Sequence, residues 1–347
     1  MNKPYIILTG GLKNVGDYLI AYRAKKLIEE YVTTDIIEYN RWEKLDDYLE
    51  IINSSKGIII CGGPGFSENM YPNTYPLVEN LEDIKVPITT LGVGWSGFPI
   101  NRPEEFKFTK DAHKLMQKIH NSSAFYACRD EISELILKKE GYSNTLMTGC
   151  PVWYDLDNLN KELKEKKEIK KIVFTTPADQ KLIFQVIKLI NMLKKKFPNA
   201  IIYNSFHRGI EADKYTSWKG SLVYKLMAKY GELRGLKTVD TSYDLSKIDF
   251  YEDCDLHIGY RVHAHLYFLS KRLPSILLSE DGRGVGMSEA LNTEIFKVQD
   301  KNIINKVSNY LDTCIKNNYS SLQETSSLID NNFTVMEKFL KSLKSWT

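Results

Sequence analysis

No two cysteines in this chain stand close enough to form a CxxC pair. The five cysteines, at positions 61, 128, 150, 254 and 314, are scattered, which excludes the spacing of a structural zinc site or a redox dithiol and fits reduced thiols. No apolar run approaches the length that spans a bilayer, and no charged-then-apolar leader precedes the first strand, because Met1–Pro4 runs straight into it. The expected location is the cytoplasm. Net charge is scarce too, +3 over 347 residues, which argues for no nucleic acid partner. Two nucleotide signatures are missing. The first turn, Gly10 to Asp17, carries glycines at 10, 11 and 16 rather than GxGxxG, and nothing in it ends in the GKS/T of a phosphate loop. No two histidines have the i,i+4 spacing of a helical metal pair, so no metal and no cofactor are expected.

What is present is an ordinary globular composition, 43% hydrophobic and 26% charged, over a length that suggests two domains. The first half alternates short apolar runs with helical periodicity. Strands are predicted at Tyr5–Thr9, Asp35–Tyr39, Gly57–Ile60, Ile88–Leu91, Phe125–Ala127 and Thr145–Met147. Helices are predicted at 102–120 and 130–139, among others. Repeated βαβ units imply a parallel sheet covered by helices on both faces. Residues 155–170, rich in Lys, Glu and Asn, break the rhythm and read as a charged, partly helical linker.

The alternation then restarts. Strands are expected at 171–175, 200–204, 237–239, 255–259 and 274–278, with helices at 179–197, 222–234 and 245–252 and a polar loop over 207–219. The predicted fold class is therefore α/β, with two doubly wound Rossmann-like domains facing a cleft. Residues 1–154 form the first domain, 171–302 the second, and 303–347 are C-terminal helices able to cross back to the first.

Chemistry-bearing residues gather where strands hand over to helices, the edge at which open α/β sheets bind ligands. Asn14 and Asp17 sit in the first such turn, where both are also plain helix caps. Gly62 and Gly63 end the third strand, and Gly92 to Gly97 form another glycine-rich end. Arg129 follows a strand beside Asp130, a natural N-cap; structural pairing and ligand binding are equal alternatives for this arginine. The segment 255–283 is richest. Arg261 there has a fork able to hold a carboxylate or phosphate, and His263 can give or take a proton near neutral pH. His265 lies two residues on, Glu280 and Arg283 lie in a charged turn, and His257, inside an apolar strand, reads as structural.

In their order, these features resemble the polysaccharide pyruvyl transferase family. The resemblance rests on Asn14-x-Gly16-Asp17 with Leu19-Ile20, the Gly-Gly end at 62–63, Gly92-x-Gly94, Arg129-Asp130-x-x-Ser133 with Gly141, Gly149-x-Pro151, and above all Arg261-x-His263-Ala264 followed by Pro274. It implies a GT-B-like pair of domains and transfer of pyruvate from phosphoenolpyruvate onto two hydroxyls of a glycan or lipid-linked sugar. Arg261 would hold the donor's anionic groups and His263 would move the proton. Asn14, Asp17, Gly62, Gly63, Arg129, His265, Glu280 and Arg283 would contribute to substrate binding. Three positions depart from the family pattern. Arg283 stands where a Lys is common, Gly62-Gly63-Pro64 replaces a triple glycine, and Cys150-Pro151 replaces Asp-Pro.

A rival reading is a GT-B glycosyltransferase with a nucleotide-sugar donor, in which Glu280 and Asp281 touch ribose or sugar hydroxyls and Arg283 holds the diphosphate. A third is a carbohydrate-binding scaffold without catalysis. Met336, Phe339, Leu340, Leu343 and Trp346 share one face of a terminal helix. That face either packs on the protein, the favoured reading, or makes a peripheral membrane contact.

Overall fold

The computed structural model describes residues 3–95, 102–162 and 168–346. Ser96, Gly97 and the middle of the charged stretch, 163–167, lie outside the described residues. Contacts divide the chain into two units. The first comprises Met1–Gly11, Ile20–Tyr154 and Ile329–Thr347; the second comprises Leu12–Leu19 and Asp155–Leu328.

The first unit holds β1 (Tyr5–Thr9), most of α1 (Val15–Tyr31), β2 (Ile36–Asn40), α2 (Leu49–Ser54), β3 (Gly57–Cys61), β4 (Pro64–Phe66), β5 (Ile88–Leu91), β6 (Gly94–Trp95), α3 (Lys110–Ser122), β7 (Tyr126–Cys128), α4 (Glu131–Lys139) and β8 (Thr145–Met147). Its main sheet is parallel, in the order β2-β1-β3-β5. β1 and β3 are buried along their whole length, so both read as unbroken apolar runs, whereas β2, at the edge, keeps Glu38 exposed. The end of the chain belongs here. Trp346 stacks on Tyr5 at 5.8 Å, and Tyr5 Oη donates to the Leu343 carbonyl at 2.6 Å. Met336, Phe339, Leu340 and Leu343 are fully buried. The apolar face of the terminal helix is thus packed against protein, and the membrane reading of that helix is withdrawn.

The second unit holds β9 (Lys171–Thr175), α5 (Ile183–Lys196), β10 (Ile201–Phe206), α6 (Trp218–Leu233), β11 (Lys237–Asp240), β12 (Leu256–Gly259), α7 (Val262–Ser270), β13 (Ser275–Ser279), α8 (Gly282–Ala290), β14 (Phe296–Lys297), α9 (Ile303–Lys316) and the start of α10 (Ser321–Leu343). Its six-stranded parallel sheet runs β11-β10-β9-β12-β13-β14. Numbered within the unit this is 3-2-1-4-5-6, the Rossmann order, whose direction reverses between β9 and β12.

Several predicted elements differ. The helix read at 102–120 is a 3₁₀ turn, Pro103–Glu105, followed by α3 from Lys110, and α6 starts at Trp218, inside the loop read at 207–219. Residues 245–253 are 3₁₀ turns rather than an α-helix, capped by Asp244. The charged turn at 280–283 is the start of α8, with Asp281 as its N-cap accepting from the Arg283 amide at 2.9 Å. The described part of 155–170 contains turns and no helix.

Candidate active site

The switch point between β9 and β12 positions the site. Gly259 closes β12, and a Cβ there would lie 2.4 Å from the Thr175 carbonyl, so only glycine lets the two strand ends come this close. The chain then turns, and the Arg261 amide donates to Thr175 Oγ1 at 3.2 Å. Arg261 is the N-cap of α7 and its side chain makes no cap hydrogen bond. Its guanidinium is left free for other work. Arg261 Nε is buried with no hydrogen-bond partner, and neither Arg261 nor the exposed Arg208 forms an ion pair among the described residues. Burial lowers the Arg261 pKa, Glu280 opposing it and the cations Arg208 and Arg283 adding to it. A partly buried guanidinium with no ion pair at a helix N-terminus favours an anion.

His263 lies in the first turn of α7, and Gly16 is pressed against it: a Cβ on Gly16 would stand 2.6 Å from His263 Nδ1. The segment Leu12–Leu19 is held against this sheet by its own anchors. Lys13 is buried, with Nζ 2.7 Å from both Thr216 Oγ1 and Asp213 Oδ2. The Val15 amide donates to the His207 carbonyl at 3.1 Å, and the Tyr243 amide to the Lys13 carbonyl at 2.8 Å. Asn14 Nδ2 donates to Asp17 at 3.2 Å, and Asp17 is one of the carboxylates acting on Arg283.

Glu280 and Arg283 are already engaged. Both Glu280 oxygens accept from the Ala178 amide, at 2.9 and 3.0 Å, and Oε1 also accepts from the Asp179 amide, at 2.8 Å, so this carboxylate organises the loop after β9. Arg283 Nε donates to both oxygens of Asp281, at 3.0 and 2.9 Å. Burial opposes the charge of Arg283, but the bonds to Asp281 and the fields of Asp281, Asp17 and Glu280 outweigh it and raise its pKa.

His265 requires a correction. Its ring turns to the opposite edge of the sheet, where Nδ1 lies 2.7 Å from the hydroxyl of Ser275, the first residue of β13. It is buried, which lowers its pKa to about 3. His257 shares Ser275, at 2.7 Å, and places its other nitrogen 2.9 Å from Thr175 Oγ1.

The candidates of the first unit are built into its packing. Gly62 and Gly63 have φ of +56° and +77°, and a Cβ on either would meet Ile20 or Arg41 at 2.3 Å. Arg41 is buried and donates to the Gly62 carbonyl at 2.9 Å. Arg129 is a brace rather than a free cation: Nε donates to Asp130 at 2.9 Å and Nη2 to the Trp95 carbonyl at 2.8 Å. Asp130 also accepts from the Ser133 amide and hydroxyl. The close approach of Arg129 explains Gly94, where a Cβ would lie 2.1 Å from Nε.

Sequence reading missed Arg208, Lys13 and His207. The last is buried beneath the site, with Nε2 2.8 Å from Tyr251 Oη, and burial followed by Arg261, His257 and His263 drives its pKa well below the usual value. The legible signal for Arg208 was its place two residues past the end of a strand. Lys13 and His207 had none, because each acts through residues distant in sequence. Among the described residues, no cluster of three or more His, Cys, Asp or Glu side chains could hold a metal.

A sequence model of the polysaccharide pyruvyl transferase family matches residues 14–282, most of the chain, and the protein belongs to that family. No curated protein matches in sequence. Among solved structures, the S. aureus MnaA–UDP complex aligns with a TM-score of 0.58 at 12% identity, covering 96% of this chain and 94% of that one. The UDP-GlcNAc 2-epimerase from Neisseria meningitidis bound to UDP-GlcNAc gives 0.53 at 11% identity, covering 97% and 100%. The apo structure of OtsA gives 0.55 at 12% identity, covering 99% and 100%. At such identities the likeness shows the fold alone, a GT-B-like α/β fold of two Rossmann-like units.

Proposed function

We propose that the protein transfers the pyruvyl group of phosphoenolpyruvate onto two hydroxyls of a sugar as a cyclic ketal, in polysaccharide biosynthesis. Membership of the family supports the class of reaction. The observation that carries the site assignment is the Arg261 guanidinium, buried at Nε without a partner at the switch point, beside Arg208 and at the N-terminus of α7. In this reading Arg261 grips the donor's phosphate or carboxylate, with Arg208 beside it. His263, set by Gly16, delivers a proton to the methylene carbon of the enol. The adjacent carbon becomes electrophilic and a sugar hydroxyl adds to it, losing its proton. The carbon–oxygen bond to phosphate then breaks, and the second hydroxyl adds in its place. One hydroxyl proton balances the one placed on the new methyl group, and the other leaves with phosphate. The cationic groups stabilise the charge on the departing phosphate.

The second reading, a nucleotide-sugar donor, draws support from the UDP and UDP-GlcNAc held by two structures of the same fold. Against it, the Glu280 carboxylate that would take ribose hydroxyls is bound to two backbone amides, and Asp281 is occupied as a cap and by Arg283. Thermal unfolding separates the two. A ligand at ~100 times its Kd stabilises by about 2.7 kcal/mol. The expected result is a rise with phosphoenolpyruvate that is lost in Arg261→Ala, together with phosphate release on adding acceptor glycans. A rise with a UDP-sugar and none with phosphoenolpyruvate would replace this reading with the second.

A further inference from the structure

Among the described residues, four of the six large apolar side chains that are more than half exposed lie on one helix. On α6, Trp218, Leu222, Leu226 and Leu233 are between 53% and 74% exposed. At 100° per residue they fall within an arc of about 80° on the side opposite the buried Gly220, Tyr224, Met227 and Gly231. Phe184, 74% exposed, lies on α5, which packs beside α6. Four scattered surface leucines would need no explanation, but an apolar stripe along one helix does.

Its charges name the occupant. Lys229 falls inside the arc, Lys219 and Lys225 border it, and Arg234 follows the last turn. Glu211 holds Lys225 at 2.7 Å and Glu232 lies 3.9 Å from Lys229, while Lys219 and Arg234 have no acidic partner among the described residues. Lys219 lies 5.5 Å from the Trp218 ring centre, the two forming the ammonium-and-indole pair favoured at a lipid–water boundary. A second copy meeting this face about a two-fold axis would set lysines against lysines. An anionic lipid surface meets both requirements at once: acyl chains for the stripe and phosphates for its borders.

We propose that α6 is a membrane-docking helix that lies in the plane of an anionic bilayer surface. The proposal stands apart from the assignment of the donor, because it involves neither Arg261 nor His263.

The test is flotation of the full chain with vesicles of phosphatidylcholine alone and of phosphatidylcholine mixed with phosphatidylglycerol. The unmodified protein should float with the anionic vesicles at least about tenfold more than with the neutral ones, and high salt should release it. Leu222→Ser with Leu226→Ser, and separately Lys219→Glu with Lys229→Glu, should each abolish flotation while keeping the melting temperature. Leu233→Ser replaces either pair if that pair melts early. Absence of flotation with anionic vesicles would overturn the proposal, as would equal flotation by all variants. A dimer in sedimentation that the leucine pair dissolves would also overturn it, assigning the stripe to a second copy of the chain.

Discussion

Lowering the pH should destabilise this protein through three buried histidines. His207, His257 and His265 are all almost fully excluded from solvent, and burial is the leading cause that lowers the pKa of each. The hydrogen bonds show why protonation is resisted. The Arg261 amide donates to Thr175 Oγ1, which lies 2.9 Å from His257 Nε2. Ser275 Oγ lies 2.7 Å from both His257 Nδ1 and His265 Nδ1 and has one proton to share between them. His265 Nε2 is buried and has no partner. Charging either ring places a cation in a water-excluded site among neutral hydroxyls, and at His265 Nε2 the added charge meets no acceptor.

In the unfolded chain each imidazole titrates near pH 6.5. Because the folded pKa values are depressed, the unfolded state takes up protons first, and stability falls as the pH drops below 6.5. Between pH 7.5 and 5.5 each histidine costs about 1.4 kcal/mol and the three together about 4, against a typical total of ~5–15. Urea unfolding at the two pH values measures this directly. His265→Asn keeps an acceptor for Ser275 and should lose one histidine's share of the slope, and His207→Gln should lose another. An unchanged midpoint across this range, or variants with the parental slope, would refute the reasoning.

Gly16→Ala gains helix propensity at an unstrained position but drives His263 from its place, so turnover should fall by about 10–100-fold while the melting temperature holds. Arg129→Ala leaves Asp130 buried without its cation and should cost about 3–5 kcal/mol in urea unfolding, with phosphoenolpyruvate affinity unchanged in the fraction that folds. For Asp213, burial opposes ionisation, but the bonds from Lys13 and Tyr243 win and hold its pKa well below the carboxylate range. Its contribution is therefore present above about pH 4 and lost as the pH falls further. Asp213→Asn should flatten that acid limb and destabilise by roughly 1–3 kcal/mol at pH 7, read by denaturation, because Lys13 stays buried.

The strands at Ile88–Leu91, Thr145–Met147 and Lys171–Thr175 were legible in the sequence to the residue. Runs of this kind become strands of parallel sheets because burial of both faces demands apolar, β-branched side chains, a local property. The position of the stretch after β12 was equally local: a cation and an imidazole at a strand–helix turn stand at the edge where open α/β sheets bind ligands. Two kinds of fact were decided only in three dimensions. One is which polar groups remain unspent. Arg129 and Arg261 follow their strands in the same way, yet Arg129 is consumed by Asp130 and the Trp95 carbonyl, while Arg261 keeps a buried nitrogen free. The other is which apolar face finds a partner. The stripes of α6 and α10 look alike in the sequence, but Gly57 and Tyr5 receive the end of the chain, whereas the leucines of α6 face solvent. Periodicity sets the faces of a helix. What covers each face, and what satisfies each charge, is supplied by residues far away in the chain.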